Sequence, residues 1–155
     1  MLRVSRLTDY ATVILAQMAR DPEQVHTCAE LAEVTRLTRP TVSKLLKQLA
    51  RGGLLTSYRG AHGGYLLVRA PEAINAAEII DTVEGPMAMT ECSMSDSQCD
   101  LEDICNVGHH WQRINRAIRA ALEQVTLADL AAPASIPLRR LDLREAINRR
   151  VEVSG

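Results

Sequence analysis

The sequence predicts a mainly α-helical fold with one short β-hairpin, and three observations predict it. Apolar residues recur at helical spacing in several stretches, and LLTSYRGAHGGYLLVRA reads as two short strands around a glycine-bearing turn. Charge is also segregated along the chain. From Arg36 to Arg69 there are seven basic residues (Arg36, Arg39, Lys44, Lys47, Arg51, Arg59, Arg69) and no acidic one; from Ala70 to Asp103 there are nine acidic residues and no basic one. The formal net charge of -1 hides this division. The first block suits a polyanion and the second repels one. At 155 residues and 46% hydrophobic, the chain can fold one domain with a modest core, or a small domain plus a dimerising element. With no Phe and one Trp, that core must be aliphatic.

The elements follow in order. Leu7, Ala11, Ile14, Leu15 and Met18 form one apolar stripe, so Arg6 to Arg20 is an amphipathic helix that Asp21-Pro22 ends. Thr27-Cys28-Ala29-Glu30 is a capping box, and the short helix CAELAEV follows it. Thr38 is placed to N-cap the next helix, where Pro40 sits in the first turn and needs no intrahelical donor. Val42, Leu45, Leu46 and Leu49 make its buried stripe, and Gly52-Gly53 stops it. The hairpin turns at Arg59 to Gly64, where glycines permit positive φ. Asn75 caps the helix AAEIIDTVE, which Gly85-Pro86 closes. A long helix begins at Trp111, with Ile114, Ile118, Ala121, Leu122 and Val125 continuing its stripe.

Two helices joined by a short turn, the second basic on its outer face, followed by a hairpin, form the pattern of a winged helix-turn-helix. Helix N-termini and Lys/Arg neutralise phosphates, while short polar side chains early in a recognition helix reach base edges in the major groove. Thr38, Arg39, Thr41, Ser43, Lys44 and Lys47 have that chemistry, and Arg59 at the wing tip, with His62, is placed to grip a phosphate or enter a minor groove. The expected partner is a double-stranded DNA operator; the competing reading is a solvated basic helix in an ordinary helical domain. One such module reads little sequence, and the long stripe of the helix from Trp111 offers pairing in a homodimer, against packing back on its own chain. No catalytic Ser/His/Asp, paired-carboxylate or phosphate-loop arrangement stands out, so no enzyme is expected. No apolar run is long enough for a membrane span and MLRVSRLTDY has no signal-peptide pattern, so the expected location is cytoplasmic.

Three of four cysteines lie in ECSMSDSQCDLEDICNVGHHW, a stretch with almost no hydrophobic periodicity. Cys92, Cys99 and Cys105 lack the Cys-x-x-Cys knuckle usual in structural zinc sites, and a cytosolic chain does not favour disulfides. Soft thiolates at wide spacing suit an iron-sulfur cluster, with three unassociated thiols as the alternative. Cys28, in the first turn of a capped helix, is either a small buried residue or a thiol activated by the helix dipole.

These residues together resemble a known family. LTDYA in the first helix, RGAHGGYLL at the wing and three cysteines ahead of a tryptophan-led helix look like the bacterial regulators of the IscR and NsrR family, from Met1 to about Leu130. The segment from Cys99 to Leu130 is most similar to regulators of the SUF iron-sulfur assembly operon. The resemblance implies a homodimeric transcription regulator whose cluster, 2Fe-2S or 4Fe-4S, alters operator affinity when gained or lost. In IscR-like members a histidine three residues after the third cysteine completes the site, but Gly108 stands there in this chain. In NsrR-like members an aspartate of the first helix of the partner subunit completes it, and Asp9 matches that position; His109 is the alternative ligand.

The organisation expected is a winged helix-turn-helix domain at 1–85, a cysteine-rich cluster-binding loop at 86–110, a dimerisation helix at 111–130 and a tail at 131–155. Two other functions fit parts of the pattern: a cluster carrier or scaffold, which leaves the basic helix and wing idle, and a zinc or thiol-oxidation switch on the same DNA-binding scaffold.

Overall fold

The computed structural model describes residues 4–87 and 108–133. Their order is α1 (Arg6–Met18), α2 (Cys28–Thr35), α3 (Arg39–Arg51), β1 (Leu55–Tyr58), β2 (Gly64–Leu67), α4 (Ala76–Glu84), α5 (Gly108–Glu123) and α6 (Leu127–Ala131), with one turn of 3-10 helix at Pro71–Ala73. This is the mainly α winged helix-turn-helix that the sequence predicts. Among the described residues no helix is long and apolar enough to cross a membrane.

Three of the first four helices open on a side-chain cap. Ser5 Oγ accepts from the Thr8 amide at 3.2 Å to open α1. The Thr27–Glu30 capping box closes in both directions at 3.2 and 3.5 Å, and Asn75 Oδ1 accepts from the Glu78 amide at 3.0 Å to open α4. Thr38 occupies the N-cap of α3 but makes no capping bond; its hydroxyl pairs instead with that of Thr41 at 2.8 Å.

The apolar stripes converge. Ala11, Ile14, Leu15 and Met18 of α1 meet Leu31 of α2 and Val42, Leu45, Leu46 and Leu49 of α3 in one core, which also takes in Leu54, Leu55, Leu67, Ile74 and Ile79. Each of these large side chains contributes about 1.5–3 kcal/mol relative to exposure. At the start of α1 the expected stripe is off by one position: Leu7 is 36% exposed, while Thr8 is 2% exposed. A threonine is tolerated there because its hydroxyl donates to Glu84 at the end of α4.

The hairpin is antiparallel, with Leu55 opposite Leu67 and Tyr58 opposite Gly64. It is pinned to the body by a second pairing. The His26 amide donates to the Tyr65 carbonyl and the Tyr65 amide to the His26 carbonyl, both at 2.8 Å. A Cβ at Gly64 would stand 2.5 Å from the His26 carbonyl oxygen, so that position has no room for a side chain. Gly60 supplies the left-handed turn, at φ +108°.

The C-terminal half departs from expectation. The helix expected from Trp111 to about residue 130 begins at Gly108 and ends at Glu123, so Val125 is not on it. Thr126 opens a separate helix through its own capping box with Asp129, Thr126 Oγ1 accepting from the Asp129 amide at 3.1 Å. Two backbone bonds of 2.8 Å, Ala76 amide to Val125 carbonyl and Leu127 amide to Ile74 carbonyl, draw this turn against the start of α4. Leu127 is thereby fully buried in the winged-helix core, so that core extends past the expected boundary at residue 85 and needs α6 to complete it. The α5 stripe is less buried: Ile118, Ala121 and Leu122 are half-buried, and Trp111 is 37% and Ile114 43% exposed, while the buried Ala120 lies off that stripe.

Between α3 and α4 the backbones approach closely. A Cβ at Gly52 would lie 2.2 Å from Thr82 Cγ2, 2.9 Å from its Oγ1 and 3.1 Å from its Cβ. Rotating Thr82 offers no relief, because all three atoms crowd the site and its hydroxyl is already donating to the Glu78 carbonyl at 2.7 Å. Gly52→Ala should therefore destabilise by about 1–3 kcal/mol, although Gly52 has ordinary helical dihedrals where alanine is usually favourable. Urea unfolding at neutral pH reads this directly, and a stabilised variant would show that the contact is soft.

Candidate nucleic-acid interface

Because α3 spends one face on Val42, Leu45, Leu46 and Leu49, its remaining faces are left to polar residues. Lys44, Lys47 and Arg51 follow one another at i, i+3 and i+7 and are all exposed. Arg39 is exposed at the helix N-terminus, beside the paired hydroxyls of Thr38 and Thr41. Thr41 and Ser43 are half-buried, nearer the rim of the helix than the lysines. The first turn of α3 thus combines free backbone amides, two hydroxyls and a guanidinium, the donor set that engages a phosphate backbone and the base edges beside it.

β1 begins four residues after α3 ends, and the wing carries Arg59 and His62, both exposed, at its turn. Arg39, Lys44, Lys47, Arg51 and Arg59 make no ion pair with any described residue. Arg69 differs from the rest of the basic block: its guanidinium pairs with Glu78 at 2.7 Å and also donates to the Ala73 carbonyl at 3.1 Å. It holds the second strand to α4 and is not available in the way the others are. The sequence-level charge count does not distinguish it, because Glu78 lies nine residues away in the acidic block.

Asp9 sits exposed in the first turn of α1, and its carboxylate engages no described residue. The turn that carries it is fixed from below. Glu84 Oε1 accepts from the Ser5 amide at 2.9 Å and from the Thr8 hydroxyl. The Thr8 bond first, then the Ser5 amide, hold the Glu84 carboxyl below its ordinary value. Cys92, Cys99 and Cys105 lie outside the described residues, as does the side chain of His109, whose backbone belongs to the first turn of α5. Among the described residues no group of three or more Cys, His, Asp or Glu forms a metal site. Cys28 is half-buried at the start of α2, its thiol 3.7 Å from the Arg39 carbonyl.

Sequence reading missed several residues that organise this surface. His26 is 3% exposed and lies between Glu30, 3.4 Å from Nδ1, and the Asp21 carbonyl, 3.2 Å from Nε2. Gln48, on the same helix as the basic residues, faces α4 instead of solvent: its Nε2 donates to the Thr82 carbonyl at 3.2 Å and the Val83 carbonyl at 2.8 Å. The partners of Gln48 lie 34 and 35 residues away, where no local pattern points, while His26 has both partners within five residues and is buried by the pairing of its backbone with Tyr65.

Residues 4–133 match the model of the Rrf2 family, described as an iron-dependent transcriptional regulator. The chain is 30% identical over 132 residues to the HTH-type transcriptional regulator CymR of Bacillus subtilis, covering 84% of this chain and 91% of that one. It is 26% identical over 131 residues to the HTH-type transcriptional regulator NsrR of Shouchella clausii, covering 83% and 88%. Among solved structures it resembles CymR, the global cysteine regulator of B. subtilis, with a TM-score of 0.65 at 30% identity, covering 84% of this chain and 97% of that one. It also resembles IscR of T. potens, with a TM-score of 0.60 at 28% identity, covering 89% and 94%.

Proposed function

Because the chain belongs to the Rrf2 family of iron-dependent transcriptional regulators, we propose that it is an iron-sulfur-dependent regulator that reads its operator with α3 and the wing. The observation that carries the DNA assignment is the unpaired, acid-free surface of Arg39, Lys44, Lys47, Arg51 and Arg59 on a helix and hairpin of winged-helix geometry. Thr38, Arg39, Thr41 and Ser43 reach base edges and the nearest phosphates from the first turn. Lys44 and Lys47 neutralise phosphate along the groove, and Arg59 with His62 does so from the wing.

The regulator acts as a homodimer. Trp111 and Ile114 on α5 support this, as large apolar side chains of an amphipathic helix left 37% and 43% exposed by their own chain. A second subunit covers them and sets two readers at a fixed spacing, which a single module lacks.

Cys92, Cys99 and Cys105 supply three thiolates, and Asp9 of the partner subunit supplies the fourth ligand. An exposed carboxylate with no partner among the described residues, on a turn anchored by Glu84, has the chemistry and the accessibility for that role. A bound cluster would supply a redox-active, exchangeable group whose loss frees these ligands. The target class is the genes of iron-sulfur assembly of SUF type, by resemblance of the segment from Cys99 to Leu130, and the site of action is the cytoplasm.

Anaerobic purification followed by iron and sulfide analysis and an absorption spectrum tests the cofactor. Iron and sulfide in comparable amounts, with visible absorption, are expected. A colourless protein holding stoichiometric zinc would replace the cluster with a zinc or thiol switch on the same scaffold. A coloured protein that transfers its cluster and binds no duplex DNA would instead be a carrier.

A further inference from the structure

The last turn of α4 joins four parts of the molecule that are distant in sequence. Its final carbonyls have no partner within the helix. Those of Thr82 and Val83 are taken by the Gln48 amide of α3, and that of Asp81 by the Gly85 amide at 3.0 Å. The Asp81 carboxylate is divided between two partners: Oδ1 accepts from the Met87 amide at 3.2 Å, and Oδ2 pairs with Arg119 of α5 at 2.7 Å. Asn115 of α5 donates to the Met87 carbonyl at 3.2 Å, so the amide and the carbonyl of Met87 are both engaged. Glu84, one turn on, holds the start of α1 that carries Asp9.

We propose that Gln48 is a positioning residue that couples the reading helix to Met87, the point where the chain leaves α4 for its cysteine-bearing segment. The proposal deepens the regulatory reading and rests on the assignment of α3 as the DNA reader. Two contacts carry the coupling, and they act on the same turn. Gln48 grips the α4 carbonyls at the C-terminal end of α3, and Gly52 packs on Thr82 directly beside them. A shift of α3 on a duplex therefore bears on α4 through a hydrogen-bonded fork and a steric stop, not through a loop. From there the route to Met87 is a single side chain, Asp81. Gln48 does not touch the exposed basic face, so its part is to relay position and not to bind phosphate.

Coupling of this kind is reciprocal: if the state of Met87 biases α3, then a ligand of α3 must bias Met87 by the same factor. That makes the proposal testable whether or not a cluster is bound. The measurement is amide hydrogen exchange at Gly85 and Met87, with and without a duplex selected from a random pool by binding to the wild-type protein. Wild type, Gln48→Met and Lys44→Ala are compared. Gln48→Met keeps the length of the side chain and removes its donor.

In the wild type the duplex should slow exchange at Gly85 and Met87 by about fivefold or more, the lower range of typical allosteric couplings. In Gln48→Met, at a duplex concentration that saturates it, the slowing should shrink to the part that the Gly52–Thr82 contact alone transmits, less than half of the wild-type effect, while amides in the core of α1 keep their wild-type protection and show the variant to be folded. Slowing of equal size in Gln48→Met, or none in the wild type, overturns the proposal. If Lys44→Ala binds the duplex as tightly as the wild type, α3 is not the reader, and the functional reading falls first and the coupling with it.

Discussion

Replacing Lys44 and Arg59 together by alanine is expected to weaken duplex binding by about fifty- to a hundredfold per protomer near 0.1 M salt and to flatten its salt dependence. Each neutralised phosphate contributes roughly 0.9 to the slope of log K against log salt, so two lost contacts remove roughly 1.8 per protomer. Both side chains are exposed and neither is paired with a described residue, so the fold should change by no more than about 0.5 kcal/mol. Arg69→Ala is the control that separates this account from a general effect of charge. Arg69 belongs to the same basic block, but its guanidinium is committed to Glu78 and the Ala73 carbonyl, so the slope should stay at its wild-type value. Fluorescence anisotropy across a salt series distinguishes the two. An Arg69 effect equal to that of Lys44 and Arg59 would mean that net charge, and not the α3 and wing surface, governs binding.

The second large effect concerns the ligands. Alanine at Cys92, Cys99 or Cys105 should abolish the visible absorption of anaerobically prepared protein, because a cluster held by three thiolates and one oxygen retains too few ligands when a thiolate is lost. Asp9→Ala should act differently. With Asp9 as the proposed fourth ligand, the substitution would leave three thiolates, so the absorption should persist with a changed spectrum and faster loss in air. His109→Ala should leave both properties as in the wild type. An unchanged spectrum in Asp9→Ala together with an altered one in His109→Ala would transfer the fourth position to the histidine.

Local chemistry made much of this fold legible before any coordinates. Ser5 was not singled out, but Thr27, Asn75 and the Val42–Leu49 stripe each act through neighbours within one or two turns, and each lies where its spacing puts it. The wing was legible for the same reason, since its glycines and alternating residues are contiguous. What escaped were features decided by contacts distant in sequence. Thr8 replaces Leu7 in the interior because Glu84, 76 residues away, accepts a hydrogen bond from its hydroxyl. The long helix stops at Glu123 because residues 74–76 bind the following turn, which a stripe running through Val125 does not reveal.

The candidate site divides along the same line. Charge segregation identified α3 and the wing from composition alone, yet it counted Arg69 with the others and passed over Gln48, whose chemistry is unremarkable until α4 is placed beside it. The ligand set was read from residue types and from resemblance; its cysteines lie outside the described residues, and only Asp9 has a structural context here. That context is a carboxylate left exposed on the first turn of α1, which Glu84 anchors to the last turn of α4, and it is this α4 turn that Gln48 joins to the reading helix.

Quantitative footprinting on one operator, with iron-sulfur-loaded and iron-free protein at matched salt, tests the central claim most directly. Operator affinities should differ by about fivefold or more between the two forms. Equal affinities would contradict it, leaving a DNA-binding protein whose cysteines do not govern its operator.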